Sequence, residues 1–272
     1  MSTTRLFLLT KSAAVILLTL SAAAGAATYS RNTQWRNPVA LWRDAARKSP
    51  DKARAHYNLA TVLSDEGSLD EALEENMKAV ELFPAYAQAH FNIGAIHHSR
   101  GQKEAAVKRY LLALALRPDL VQAHNNLGYI YYTEGIYDKA KAEYTEAIKL
   151  NPAHINAIVN LGALYVDMNE PGRAMSLFKT ALVYDPAYAP AHLGMGEALM
   201  TEGRMREAAE EFKISLKLKP DFANARNGLG KAYERLGRMD EAAAEYQAAL
   251  IFNPSLTEAK ANLLRITTAP KR

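Results

Sequence analysis

The stretch VQAHNNLGYIYYTEGIYDKAKAEYTEAIKLNPAH, residues 121–154, decides the architecture. It carries two runs of helix-forming residues separated by a glycine, and it closes on Pro152. Pro50, Pro84, Pro118, Pro186, Pro220 and Pro254 flank that proline at the same 34-residue spacing. A single globular core has no need of such regularity, whereas a stack of identical units has it by construction. A period of this length is that of a two-helix repeat. Stacks of this kind present long surfaces, so the function question turns toward binding other chains.

Working outward from residues 121–154, the same frame gives units at 53–86, 87–120, 155–188, 189–222 and 223–256. The eighth place of the six units is Ala60, Gly94, Gly128, Gly162, Gly196 and Gly230. The twentieth is always alanine, from Ala72 to Ala242, and the twenty-seventh is alanine except at Ser215. Small side chains at these places let two antiparallel helices approach closely. Tyr110, Tyr144, Phe178, Phe212 and Tyr246 recur at the twenty-fourth place to fill the space between units. Asn76 interrupts that series and predicts a less tightly seated second helix in the first unit. Gly67, Gly101, Gly135, Gly203 and Gly237 stand where the first helix ends. In the fourth unit Asn169 takes that place, with Pro171 opening the next helix. Each unit therefore reads as helix–turn–helix, and no segment reads as a strand.

Residues 121–154 resemble the tetratricopeptide repeat, whose leucine–glycine pair is Leu127 and Gly128 here. The family's tyrosine is Tyr131, its alanines Ala140 and Ala147, its aromatic Tyr144 and its proline Pro152. The resemblance extends over residues 53–256 and is weakest in the fifth unit, where Met195 and Leu199 replace the leucine and tyrosine. It implies an all-α, right-handed superhelical solenoid of six units, with first helices lining the concave wall. A solitary second helix after Asn37-Pro38, within the segment 31–52, predicts the N-terminal cap. A final amphipathic helix within 257–272, with a polar outer face, predicts the C-terminal one.

Residues 1–30 differ in character. Arg5 and Lys11 precede an uncharged stretch from Ser12 to Tyr29. That pattern fits a signal peptide ending at Ala24-Gly25-Ala26. It fits equally a single membrane anchor from Leu6 to Ala27. Either way the repeats are expected outside the cytoplasm, tethered to the inner membrane or released into the periplasm. The junction over residues 29–59 is similar to the segment preceding the repeats in membrane glycosyltransferase-like proteins with tetratricopeptide tails, which favours the anchor. Transferase activity is not carried over, because the upstream membrane spans are missing.

Hydrophobic residues make up 49% of the 272-residue chain, ample for a continuous core. The formal net charge is +4, with both signs intermixed. No basic run stands out, so nucleic acid is not an expected partner. There is no cysteine, which removes disulfides and thiolate chemistry. No serine–histidine–acid set or carboxylate pair stands out from the periodic background, so no enzyme, cofactor or metal site is expected.

The residues expected to bind a partner form a column. Asn58, Asn92, Asn126 and Asn160 hold the sixth place of four consecutive units, and Gly194 and Gly228 end the series. An asparagine amide donates and accepts together, so it can pair with a peptide backbone whatever its sequence. The column is similar to the asparagine ladder in the repeat domain of O-linked N-acetylglucosamine transferases, which implies a peptide-holding surface. The alternative is that these amides bond within and between repeats. Tyr57, Tyr129 and Tyr132 would flank the column as rigid aromatic anchors. His56, His90, His124 and His192 share the fourth place, a full repeat apart, and read as packing residues. The expectation is a non-catalytic docking scaffold for a peptide or partner helix. A self-assembling or accessory subunit of an envelope complex, or a repeat-only glycosyltransferase relative, is the alternative.

Overall fold

The computed structural model describes residues 37–268. The expected signal or anchor at residues 1–30 lies outside them. Among the described residues there are fourteen helices and no strand. None of these helices is long and apolar enough to cross a membrane.

The chain divides into two compact units, one ending at Arg117 and one beginning at Pro118. The first contains α1 (Pro38–Lys48), α2 (Ala53–Asp65), α3 (Leu69–Leu82), α4 (Ala87–Ser99) and α5 (Lys103–Leu116). The second contains α6 (Val121–Thr133), α7 (Tyr137–Leu150), α8 (Ile155–Asp167), α9 (Pro171–Tyr184) and α10 (Ala189–Thr201). It continues with α11 (Met205–Leu218), α12 (Ala223–Arg235), α13 (Met239–Phe252) and α14 (Thr257–Thr268). Each even-numbered helix up to α12 pairs with its successor as one 34-residue unit; α1 is a second helix alone and α14 a first helix alone.

Local chemistry sets the helix ends. Gly67 lies at φ +78°, and the Ser68 N–H returns to the Leu63 carbonyl at 2.9 Å, so the end of α2 has the Schellman geometry. Asn169 takes the same left-handed place at φ 58°, a conformation that asparagine tolerates better than most residues. The Asn37 side chain accepts from the Ala40 N–H at 2.9 Å and caps α1. Pro171 opens α9, and Asp70 with Glu71 places negative charge at the start of α3, where the helix dipole favours it.

The small and large places interlock as the spacing predicts. Tyr110, Tyr144, Phe178, Phe212 and Tyr246 are fully buried, and each ring lies against the eighth-place glycine of its own repeat. A Cβ built on Gly128 would stand 2.8 Å from the Tyr144 ring, and one on Gly162 2.6 Å from Phe178. No larger residue fits there without moving the ring. The looser seat expected at Asn76 is not found. Asn76 is fully buried, and its Nδ2 donates to the Ala72 carbonyl at 2.9 Å, although its Oδ1 has no partner. Ser215 is likewise buried, its hydroxyl donating to the Ala189 carbonyl at 2.9 Å.

In the second unit the first helices α6, α8, α10, α12 and α14 touch one another in turn, while the second helices hold apart. Helices that converge on one side make that side concave. One expectation at the C-terminus is corrected here. The outer face of α14 is not wholly polar, because Leu264 is 62% exposed. Leu264 occupies the eighth place of a seventh repeat, and among the described residues no second helix covers it.

Candidate functional site

The histidines are settled by their partners. His56 Nδ1 lies 2.6 Å from Glu75, and its Nε2 lies 3.0 Å from the carbonyl of Pro50. His124 repeats this with Glu143 at 2.6 Å and Pro118 at 3.0 Å, and His192 with Glu211 and Pro186. Fourth place thus bonds twenty-third place and the proline carbonyl that ends the preceding repeat. Both partners of His124 accept, and the bond to Glu143 holds its imidazole above the usual histidine range. In the second repeat Arg109 donates to His90 Nδ1 at 3.2 Å, which leaves Nε2–H for Pro84. Arg226 with Glu245 and Pro220 performs the same role in the sixth repeat. In the fourth repeat both places turn apolar, Ile158 and Leu177. Fourth place therefore clamps one repeat to the next, as the packing reading expected.

The asparagine column divides into two kinds. Asn58 and Asn92 are half-buried on α2 and α4, and among the described residues neither amide makes a hydrogen bond. Asn58 borders a hollow with Trp42, Lys48, Lys52 and Arg54. Asn92 borders another with Thr61, Ser64, Asp65 and Ser99. In the second unit the amides turn inward. Asn160 Nδ2 donates to Asn125 Oδ1 at 3.0 Å, and Asn125 Nδ2 donates to Asn126 Oδ1 at 3.3 Å. The same rung recurs where Asn262 donates to Asn227 at 3.2 Å and Asn227 to Glu258 at 2.8 Å. Asn125 and Asn227 hold the fifth place. The sequence reading missed them, although a fifth-place asparagine before a sixth-place asparagine one repeat later was available as a signal.

The end of the column also has a cause. A Cβ on Gly194 would stand 2.3 Å from Phe178 Cζ, and one on Gly228 2.7 Å from the Phe212 ring. The two phenylalanines at the twenty-fourth place fill the space that the next repeat's sixth-place side chain would need. Wherever that aromatic is a tyrosine, the following sixth place is Asn126, Asn160 or Asn262.

The tyrosines also separate. Tyr57 packs on Tyr86 with ring centroids 4.8 Å apart, and Tyr86 meets Phe83 edge-on at 6.0 Å. Phe91, whose role the sequence left open, packs on Tyr110 at 5.6 Å. Tyr129 is 43% exposed on α6. The Tyr132 hydroxyl donates to Asp167 at 2.5 Å, and its ring stacks on Tyr137 at 6.1 Å. Burial and the neighbouring carboxylate push the Tyr132 hydroxyl well above the usual tyrosine range. Tyr132 is thus already committed to a contact between repeats.

Sequence reading passed over one further group. Glu197, at the ninth place of the fifth repeat, has Leu193, Gly194, Ala198 and Met200 as near neighbours along α10. Its side chain makes no hydrogen bond among the described residues. Burial, aided by Asp167 and Glu258, raises its carboxyl to about 7, against the lowering pull of Lys231.

Comparison with known proteins fits this geometry. Tetratricopeptide repeat family models match residues 24–87, 193–256, 121–154 and 167–215, and a TPR repeat model matches 95–135. A protein O-mannosyl-transferase of Caenorhabditis elegans is 33% identical over 76 residues, a match that covers 28% of this chain and only 11% of that protein. Among solved structures, the anaphase-promoting-complex assembly Cut9–Hcn1 aligns with TM-score 0.75 and 18% identity, over 85% of this chain and 46% of that one. YrrB, described as a TPR protein with an unusual peptide-binding site, aligns with TM-score 0.51 and 22% identity, over 68% of this chain and 96% of its own. The repeat frame, the buried place-24 aromatics and these matches agree: the chain belongs to the tetratricopeptide repeat family.

Proposed function

We propose that this protein is a non-catalytic docking scaffold that holds an extended peptide or partner helix against its first helices. The observation that carries the reading is the pair Asn58 and Asn92. Their amides stand one repeat apart, half-exposed and without a protein hydrogen bond, while the equivalent Asn160 is bonded between repeats. An unpaired amide beside solvent can bond a peptide backbone in both senses. Tyr57 is the aromatic anchor beside Asn58 in this unit, and Tyr129, exposed on α6, is the anchor of the other unit. Exterior placement, by a cleaved signal or a retained anchor at residues 1–30, belongs to the same proposal. The O-mannosyl-transferase likeness covers 76 residues, about two repeats, so transferase activity stays with that protein.

The test is a cross-linked capture from membranes with three full-length baits: the natural chain, one with Asn58→Ala and Asn92→Ala, and one with Asn126→Ala and Asn160→Ala. A partner held by the first and third baits and lost from the second supports the reading. A partner held by all three moves the working surface elsewhere. One observation favours a second reading, assembly through an end of the stack: Leu264 on α14 is 62% exposed among the described residues. Association that rises with concentration and survives loss of the asparagines would favour it.

A further inference from the structure

The second repeat inverts a charge that most of the others keep. The twenty-third place is Glu75, Glu143, Glu211 and Glu245 in the first, third, fifth and sixth repeats, and Leu177 in the fourth. Each of those glutamates lies against a basic partner: His56, His124, His192 or Arg226. In the second repeat the place is Arg109. Its Nη1 donates to His90 Nδ1 at 3.2 Å, and its Nη2 to the Met77 sulfur at 3.7 Å. Neither partner is an anion, and among the described residues Arg109 makes no ion pair. The guanidinium is half-buried, so it has given up part of its hydration without gaining a counter-charge.

The surface around it is a hollow of about 520 Å³, bordered by α3 and α5. Met77, Val80 and Pro84 form one apolar wall and Leu112 the other, with Met77 43% and Leu112 41% exposed. Glu81 also borders the hollow, but it is exposed and makes no ion pair. His90 is buried, and its Nε2–H is held by the Pro84 carbonyl at 2.9 Å. The imidazole therefore presents Nδ1 as a fixed acceptor that positions Arg109. A guanidinium has five N–H donors in one plane, and only two are engaged here.

We propose that Arg109 and its hollow form a binding site for a carboxylate of a partner chain, presented beside an apolar side chain. The remaining guanidinium donors can make charge-assisted bonds to both carboxylate oxygens. The neighbouring apolar group covers Met77 and Leu112, and their burial adds the hydrophobic contribution. No second cation lines the hollow, so a singly charged carboxylate fits it better than a phosphate. The site is distinct from the amides of the docking reading. His90 and Asn92 are two residues apart on α4, about 200° around the helix, and so face opposite ways.

The test follows the Met77 methyl and Arg109 guanidinium resonances by NMR in the full chain. Three blocked peptides are titrated in: Ac-GLEG-NH2, its neutral counterpart Ac-GLQG-NH2, and Ac-GGL-OH, whose only carboxylate is its C-terminus. The expected result is saturable shifts with a carboxylate peptide, at an affinity about tenfold or more above that of the glutamine peptide. Saturation by the first or the third peptide supports the site and says whether it takes a side chain or a chain end. Arg109→Glu restores the pairing of the other repeats, so the thermal unfolding midpoint should hold while the shifts vanish. Three results overturn the proposal: equal response to the glutamate and glutamine peptides, no response to either carboxylate peptide, or binding unchanged in Arg109→Glu. Asn58 and Asn92 are left intact throughout, so the docking reading stands or falls separately.

Discussion

The two compact units carry the same sixth-place asparagine and use it differently. In the first unit Asn58 and Asn92 make no protein hydrogen bond among the described residues; in the second, Asn160 is tied to Asn125 and Asn125 to Asn126. What differs is the fifth-place residue of the preceding repeat, 35 residues earlier. In the first unit the fifth-place residue 35 before Asn92 is Tyr57, which packs on Tyr86, and Tyr57 and Asn92 make no hydrogen bond with each other. The second unit places Asn125 and Asn227 there, and each accepts from the asparagine 35 residues on. A recurring polar residue is therefore open to an outside partner only where its neighbours in the stack leave it unpaired.

The largest effect expected concerns the point where the column stops. Gly194→Asn would restore the sixth-place asparagine, yet its Cβ would fall 2.3 Å from Phe178 Cζ. Overpacking of this kind costs about 1–3 kcal/mol, occasionally more. A thermal unfolding midpoint equal to the natural chain's would break the link between the twenty-fourth and sixth places. Next comes Asn125→Ala, which removes the acceptor of Asn160 and the donor to Asn126. Lost bonds of this type cost about 1–3 kcal/mol when they leave a buried partner unsatisfied. Asn58→Ala should stay within about 0.5 kcal/mol, as a substitution away from any such contact does. Equal losses in denaturant titrations of the two variants would erase the contrast.

Much of the fold was legible because each place in the repeat has one dominant physical demand. A glycine facing a buried ring, an alanine between two helices and a proline after the second helix each announce themselves in one dimension. Asn169 at φ 58° and Pro171 at the start of α9 stand where the spacing predicts. The candidate site was less legible, because it depends on pairs a repeat apart. That Asn160 points into Asn125 requires knowing which fifth place it meets. That Glu197 stands without a donor requires knowing that Lys231 is held by Glu258. Leu264 escaped for a related reason: the polar outer face was expected of a cap, whereas α14 keeps the residue pattern of a first helix, with Leu264 at its eighth place.

Two pH effects sharpen the comparison further. The Glu197 carboxyl is raised to about 7, so the folded state holds a proton that the unfolded chain has released. Stability should fall as pH rises from the ordinary carboxylate range toward 7, and Glu197→Gln should remove that fall. His124 is shifted upward by Glu143. Its contribution is fully present below the ordinary histidine value and is lost as pH rises through the folded one. Glu143→Gln should therefore flatten that loss in unfolding curves taken on the alkaline side of neutrality. An unchanged pH profile in either variant would remove that group from the account.

The most direct measurement is the solvent exchange of the asparagine side-chain amides, resolved by NMR in the full chain. The account predicts that the Asn58 and Asn92 amide protons exchange as freely as those of a solvated amide, while those of Asn125 and Asn160 are slowed by their bonds. Protection of Asn58 and Asn92 equal to that of Asn160 would contradict it, because the column would then belong to the repeat stack throughout and not to a ligand.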